Sequence, residues 1–176
     1  MSRALTVNPV GGGTDTAFVT SVATSGSGNY VTGWMGMKLQ TGSSGLRVKQ
    51  LGRYKRSGNN QNHTMAIFRV SDNQRLTPAS WNLTVNMTNT PVNEFQYVTL
   101  PTPVDLDPNT AYFIVTTELN GGDSWTAGPS TLAGGAGGAT ILNGIVSTDP
   151  NAPAGSWTPD GHALDNNGPV NFKFAP

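Results

Sequence analysis

Cysteine is absent from this sequence, and charged residues are scarce. Without cysteine the chain forms no disulfide, holds no thiolate-bound zinc and has no thiol nucleophile. Only 11% of the 176 residues are charged, and ten basic residues balance ten acidic ones. No excess of positive charge is therefore available for nucleic acid or an anionic membrane surface. The apolar runs are also too short to cross a bilayer, so we expect no transmembrane segment.

Glycine, asparagine, threonine and serine take the places that lysine and glutamate fill in a cytosolic helical protein. This composition suits an extracellular β protein. The N-terminal stretch MSRALTVNPVGGG lacks the apolar region of a signal peptide. We therefore expect residues 1–176 to be a single domain, monomeric and excised from a longer secreted protein.

Strand signals recur about every ten residues, whereas helical periodicity is nearly absent. They lie at 4–7, 17–23, 30–40, 46–55, 63–70, 80–86, 94–100, 110–119, 139–147 and 169–175. Gly, Pro and Asn turns separate them. The pattern predicts an all-β fold, a single β-sandwich of about ten short antiparallel strands with jelly-roll topology. Residues 110–119 are apolar on both faces, so this strand should be central, whereas the prolines of 101–112 predict an edge strand.

Three segments resemble a known domain. They are GLRVKQLGRYKRSGNNQNHTMAIFRVSDNQRL at 45–76, EFQYVTLPTPVDLDPNTAYFIV at 94–115 and NNGPVNFKF at 166–174. Together they resemble an uncharacterised β-sandwich domain of bacterial secreted and PEP-CTERM-anchored proteins. The resemblance implies an extracellular, non-catalytic module that accompanies larger surface or polysaccharide-associated proteins. Its motifs consist of core and turn residues, so it transfers no binding site.

Two tryptophans in long polar loops are the leading candidates for a ligand site. Trp125 and Trp157 either cap an open end of the sandwich or project from one rim as a stacking platform for a glycan. A basic and amide-rich stretch at 52–63, read as a hairpin, is either an edge that binds sugar hydroxyls or a surface of solvated charges. The candidate ligand-binding residues are Trp125, Trp157, Arg53, Tyr54, Arg56, Asn60, Asp160 and His162.

Three acidic residues of the C-terminal loops suggest a metal site. Asp149, Asp160 and Asp165 supply oxygen ligands of the kind that calcium prefers, if the loop folds back on itself. We expect no other cofactor. The alternative is that these residues only form turns.

Catalysis is not expected from this sequence. No G-x-S-x-G motif is present, and His63 opens a core strand, where it should hydrogen-bond a neighbouring loop. We expect a non-catalytic extracellular module that binds a polysaccharide or cell-surface glycan. The first alternative is a structural or adhesive spacer without a ligand site. The second is an unusual hydrolase or lyase, which would need acidic residues and His162 together in a cleft.

Overall fold

Antiparallel β-strands make up almost all the regular structure. The computed structural model describes residues 14–23, 26–127, 130–134, 136–149, 156–161 and 168–175. The strands are β1 (Thr16–Ala17), β2 (Val19–Val22), β3 (Gly26–Gly28), β4 (Gly33–Gln40), β5 (Leu46–Tyr54), β6 (Asn62–Arg69), β7 (Thr84–Asn86), β8 (Phe95–Leu106), β9 (Ala111–Glu118), β10 (Trp125–Ala127), β11 (Ser130–Leu132), β12 (Thr140–Ser147), β13 (Thr158–Pro159) and β14 (Val170–Ala175). A short 3-10 turn covers Ala79–Trp81. The predicted strand at 4–7 lies outside the described residues.

Two sheets face each other and form a sandwich. One sheet has four strands in the order β1-β14-β5-β8, and the other has six in the order β13-β12-β4-β9-β6-β7. Two small pairs, β3 with β10 and β2 with β11, complete the structure. The predicted all-β sandwich is confirmed. The strand order does not establish jelly-roll topology, which stays a prediction.

The main core lies between the two sheets. Alternation sends every second side chain of each strand inward, where burial of a large apolar side chain contributes about 1.5–3 kcal/mol. The four-stranded sheet contributes Val48, Leu51, Phe172 and Phe174, and the six-stranded sheet contributes Met37, Leu39, Met65, Ile67, Tyr112 and Ile114. The other face of the six-stranded sheet carries a second cluster of Trp34, Ala66, Phe68, Phe113, Val115 and Ile145. Strand β9 is therefore central and covered on both faces, as its sequence predicts.

Strand β8 forms the free edge of the four-stranded sheet, as the prolines of this region predict. It is longer than predicted and runs through both Pro101 and Pro103. Its register with β5 is broken, because Val48 pairs with Val104 whereas Gln50 pairs with Thr99. Residues 100–103 thus lie opposite Lys49 alone, and the prolines sit where no ladder hydrogen bond is required.

The stretch that we read as a hairpin crosses between the sheets instead. Strand β5 belongs to the four-stranded sheet and β6 to the six-stranded sheet, so the hairpin prediction for 52–63 is wrong. The crossing places the end of β5 against the ends of β6 and β9. Among the described residues, no helix is long and apolar enough to cross a membrane.

Candidate functional site

A buried ion pair joins the two sheets where β5 and β9 end. Arg53 Nε and Nη2 donate to Glu118 Oε1 and Oε2, both over 2.8 Å. The two side chains are 0% and 1% exposed. This two-point geometry is the strongest that arginine forms with a carboxylate. The expectation that Arg53 belongs to a solvated or ligand-facing edge is wrong, because the guanidinium points into the sandwich and is fully engaged there.

His63 lies between two carboxylates. Its Nδ1 is 2.6 Å from the Thr117 carbonyl oxygen and 3.4 Å from Glu118 Oε1, and its Nε2 is 3.1 Å from Asp123 Oδ2. The ring is 2% exposed. The predicted hydrogen bond from His63 to a neighbouring loop is thereby confirmed. Arg53, Glu118, His63 and Asp123 are called the ion cluster below.

The pKa values of His63, Glu118 and Asp123 are shifted within the cluster. Burial alone would lower the pKa of His63, but the hydrogen bond and charge of Glu118 raise it above the ordinary 6.5. Burial would raise the pKa of Glu118, but the hydrogen bonds from Arg53 and His63 hold it below the ordinary 4.5. Burial would likewise raise the pKa of Asp123, but hydrogen bonds, chiefly from backbone N–H groups, hold it below 3.8. The cluster thus favours its ionised forms.

Asp123 fastens two loops to the cluster. Its carboxylate accepts the backbone N–H groups of Asn60 and Gln61 over 2.9 and 3.0 Å. In return, the Gln61 side-chain oxygen accepts the backbone N–H of Asp123 over 3.0 Å. The Asn59 side chain bonds both the N–H and the carbonyl oxygen of Ser124. These reciprocal bonds hold loop 59–61 against the turn 119–124.

A pocket of about 550 Å³ opens between these loops. It is lined by Asn60, Gln61, Asn62, His63, Asn86, Thr117, Glu118 and Leu119. Asn60 and Asn62 are exposed, and Leu119 is 55% exposed. The pocket therefore combines hydrogen-bonding amides and one apolar side chain over a rigid ionic floor. Of the residues predicted to bind ligand, Asn60 lies in this pocket, and Arg53 supports it from below.

Trp125 closes the end of the sandwich. It is 1% exposed and packs against Val31 and Met35. Tyr30, which is 61% exposed, meets its ring edge-on at a centroid distance of 5.1 Å. Gly28 lies in β3, which pairs with the strand of Trp125. Glycine is required at this position because a Cβ there would lie 2.5 Å from the indole. The cap alternative is therefore correct for Trp125, and its prediction as an exposed stacking residue is wrong.

Trp157 belongs to a different cluster from Trp125. Its ring stacks on Phe113 at 4.7 Å and contacts Phe68, and its Nε1 donates to Asn73 Oδ1 over 2.8 Å. The indole is half-buried on the outer face of the six-stranded sheet. The two tryptophans therefore do not form one platform.

The remaining predicted residues are dispersed. Tyr54 is buried against Phe95, and Arg56 donates to the Gly26 carbonyl oxygen over 3.2 Å. Neither residue lines the pocket. Asp160 is half-buried, and its carboxylate occupies the space that a Cβ of Gly144 would fill.

The predicted calcium site is described only in part. The Asp149 N–H donates to Ser147 Oγ over 3.3 Å, and the Asp160 N–H donates to the Gly144 carbonyl oxygen over 3.1 Å. His162 and Asp165 lie outside the described residues. Within the described ranges, no group of three or more His, Cys, Asp or Glu side chains is placed to hold a metal ion. Calcium binding by Asp149, Asp160 and Asp165 stays a prediction.

The sequence pattern did not predict that Glu118, Asp123 and Leu119 belong to one site. Glu118 ends a strong strand signal, and Asp123 lies in a Gly-rich turn, so each has an ordinary local explanation. Only their contact with β5 and β6 brings them together. The run Asn59–Asn62 was the one available signal, because four consecutive amides are unusual at a strand entry.

Comparison with known proteins gives no family for this chain. No protein-family model matches it, and no curated protein matches it significantly. The resemblance to the bacterial secreted β-sandwich domain therefore stays a prediction, and function must be inferred from the residues themselves.

Proposed function

We propose that this chain is a non-catalytic carbohydrate-binding module whose ligand occupies the amide-lined pocket. The supporting observation is the pairing of two exposed amides, Asn60 and Asn62, with the exposed Leu119 in one pocket. A sugar hydroxyl donates and accepts at once, and a primary amide offers both complementary groups. An aliphatic side chain beside them suits the C–H face of a sugar ring.

A segment that carries an exposed aromatic residue, Tyr30, is bonded to the segment that follows Leu119 of the pocket wall. The Gly121 N–H donates to the Asn29 carbonyl oxygen over 2.7 Å, and the Asn120 N–H donates to Thr32 Oγ1 over 3.1 Å. These bonds hold the segment that begins at Leu119 next to the segment that carries Tyr30. Tyr30 thus replaces Trp125 as the candidate stacking residue, and the buried indole of Trp125 supports its ring.

The charge of the site favours a neutral glycan. While His63 is protonated, the two cations of the ion cluster balance its two anions, and the exposed pocket amides are uncharged. A uronic acid or a sulfate ester would therefore meet no unpaired positive charge in the pocket lining. Binding should consequently depend little on ionic strength.

The state of the carboxylates supports binding rather than hydrolysis. A glycosidase needs one carboxyl group that is protonated near neutral pH. Hydrogen bonds instead hold both pKa values below their ordinary range, from Arg53 and His63 for Glu118 and chiefly from backbone N–H groups for Asp123. Neither group is therefore suited to act as a general acid.

Extracellular placement and a bacterial surface-protein context belong to the same proposal. They are supported by the low charge, the Asn-rich and Thr-rich composition and the resemblance given above. Affinity for one site should be roughly micromolar to millimolar, as befits a module that acts through several copies.

A structural or adhesive spacer is the second candidate. The observation that favours it is that both loop tryptophans are engaged within the fold, Trp125 in the core and Trp157 on Phe113. A spacer would show no glycan binding at this pocket or at any other surface.

Affinity electrophoresis against neutral and acidic polysaccharides, with and without EDTA, tests the proposal. We expect a neutral glycan to retard the wild type, and Asn60→Ala, Asn62→Ala and Tyr30→Ala each to weaken binding by about tenfold through loss of one ligand contact. Gln74→Ala is the matched control, because Gln74 is an exposed amide beyond the opposite end of β6. Folding of every variant is checked by its melting temperature.

Two results would count against the pocket. If no polysaccharide retards the wild type, the spacer is favoured. If a glycan binds equally to the wild type and to all three pocket variants, the site lies elsewhere. Loss of binding in EDTA would support the separate calcium prediction.

A further inference from the structure

Both ring nitrogens of His63 face oxygen atoms that can only accept hydrogen bonds. Nδ1 faces the Thr117 carbonyl oxygen and Glu118 Oε1, and Nε2 faces Asp123 Oδ2. A neutral imidazole has one N–H and serves only one of these sides, whereas the imidazolium has two. The arrangement therefore requires the doubly protonated ring.

Among the described residues, the charged groups that face the ring all belong to the ion cluster. Glu118 comes from β9, Arg53 from β5 and Asp123 from the turn after β9. Strand β7 places the apolar Val85 opposite His63. Two cations and two anions are balanced while His63 is protonated, and loss of its proton leaves one buried carboxylate without a counter-charge.

The two hydrogen bonds of the ring are unequal. The contact with the Thr117 carbonyl oxygen is 2.6 Å and joins β6 to β9, two strands that pair in the sheet. The contact with Asp123 is 3.1 Å and reaches a turn. A neutral ring that keeps the shorter bond has its one N–H at Nδ1. Its Nε2 is then unprotonated and cannot donate to the Asp123 carboxylate, so the segment that carries Asp123 is the side that is released.

We propose that His63 is a proton-controlled clamp. As an imidazolium it fastens Asp123, and through Asp123 the loop 59–61, to the end of the six-stranded sheet. Loss of one proton releases the turn and the loop together. Because Asn60 and Gln61 line the pocket, release changes the pocket wall, but the clamp needs no ligand and does not depend on the proposed glycan site.

The direction of the pH dependence follows from the cluster. Glu118 raises the pKa of His63 above 6.5 despite the burial of the ring. The stabilising contacts are therefore complete below about pH 6.5, and they are lost as the pH rises through the raised pKa of the folded protein. The clamp closes in acid and opens in alkali.

Nuclear magnetic resonance of the wild type tests the clamp directly. The chain has two histidines, so two imidazole titrations are followed between pH 5.5 and 9 and are assigned with His63→Gln and His162→Gln. We expect His63 to carry two N–H groups at pH 6. As it loses a proton, the hydrogen-exchange protection factors of the Asn60 and Gln61 amides should fall about tenfold. Protection of Ile114, in the middle of β9, should stay constant.

Three outcomes overturn the proposal. The first is a neutral His63 ring in the folded protein at pH 6. The second is constant protection of Asn60 and Gln61 through the titration of His63. The third is loop release that persists in His63→Gln but disappears in His162→Gln. The first two need only the wild type, so they decide the matter even if His63→Gln fails to fold.

Discussion

The two ends of strand β9 are closed by different chemistry. At its start, the Thr41 hydroxyl donates to the Asp107 carbonyl oxygen over 2.6 Å and accepts the Thr110 N–H over 2.9 Å. The Tyr112 hydroxyl accepts the Asp107 N–H over 2.8 Å. At the other end, Glu118 enters the ion cluster. The first end relies on short hydrogen bonds of hydroxyl and backbone groups, and the second on charged groups from β5, β6, β9 and the turn after β9.

The difference indicates which end of β9 should respond to a change of pH. Burial raises the pKa of Tyr112 above its ordinary 10, so its hydroxyl stays neutral over the usual pH range. The ion cluster, in contrast, combines a histidine whose pKa is raised with two carboxylates whose pKa values are lowered. The pocket with its exposed amides lies at the ionic end. We therefore expect variants and pH to act unequally on the two ends.

Glu118→Ala should have the largest effect. It leaves the Arg53 guanidinium buried without its partner, and breaking a buried pair costs about 3–5 kcal/mol of unfolding free energy. The matched control is Asp105→Ala in the pair Arg47–Asp105, whose side chains are 52% and 67% exposed. That variant should lose at most about 1 kcal/mol. Urea unfolding measures both, and similar losses would contradict a dominant role for the buried pair.

Acid should weaken the ionic end next. Burial would raise the pKa values of Glu118 and Asp123, but hydrogen bonds lower both, from Arg53 and His63 to Glu118 and chiefly from backbone N–H groups to Asp123. Their contribution is therefore complete above their ordinary values of 4.5 and 3.8. It is lost as the pH falls through the lowered values. Melting temperatures between pH 6 and 2.5 should therefore fall less steeply in Asp123→Asn than in the wild type. Parallel curves for the two proteins would show that Asp123 is not part of the acid response.

Tyr112→Phe should have the smallest effect of the three. It removes two hydrogen bonds to the exposed Asp107, the one that the hydroxyl accepts from the Asp107 N–H over 2.8 Å and a longer one that it donates to Asp107 Oδ2 over 3.4 Å. Water can replace the hydroxyl at this exposed residue, so we expect a loss of about 1 kcal/mol. The loss should be the same at pH 5 and pH 8, as measured by urea unfolding at each pH. A loss that grew with pH would mean that the two ends of β9 are coupled.

The strands were predictable because alternation and turn residues are local properties. In β9, Phe113 and Val115 belong to the outer cluster and Tyr112 and Ile114 to the inner core, as the period of two requires. Strand β3 was missed because Gly26–Gly28 has no apolar side chain to signal it. It forms by pairing with β10, where Gly28 makes room for Trp125.

The site was less predictable because it depends on how deeply each side chain is buried and on contacts between residues that are far apart in the sequence. Alternation gives the face of Arg53 but not its burial, and Glu118 lies 65 positions away along the chain. Trp125 illustrates the same limit, since a Gly-rich setting suits an exposed ring and a close-packed one equally well. The amide run was visible in the sequence, but the pocket that it shares with Leu119 was not.

The irregular edge formed by β8 has a consequence for self-association. An exposed strand with a regular row of N–H and carbonyl groups is a template for another chain. Pro101 and Pro103 remove two donors from this edge, and the broken register distorts it further. The other edge strands of the two main sheets, β1, β7 and β13, are only two or three residues long. The fold therefore carries its own protection against edge-to-edge aggregation, which a protein with almost no surface charge repulsion needs.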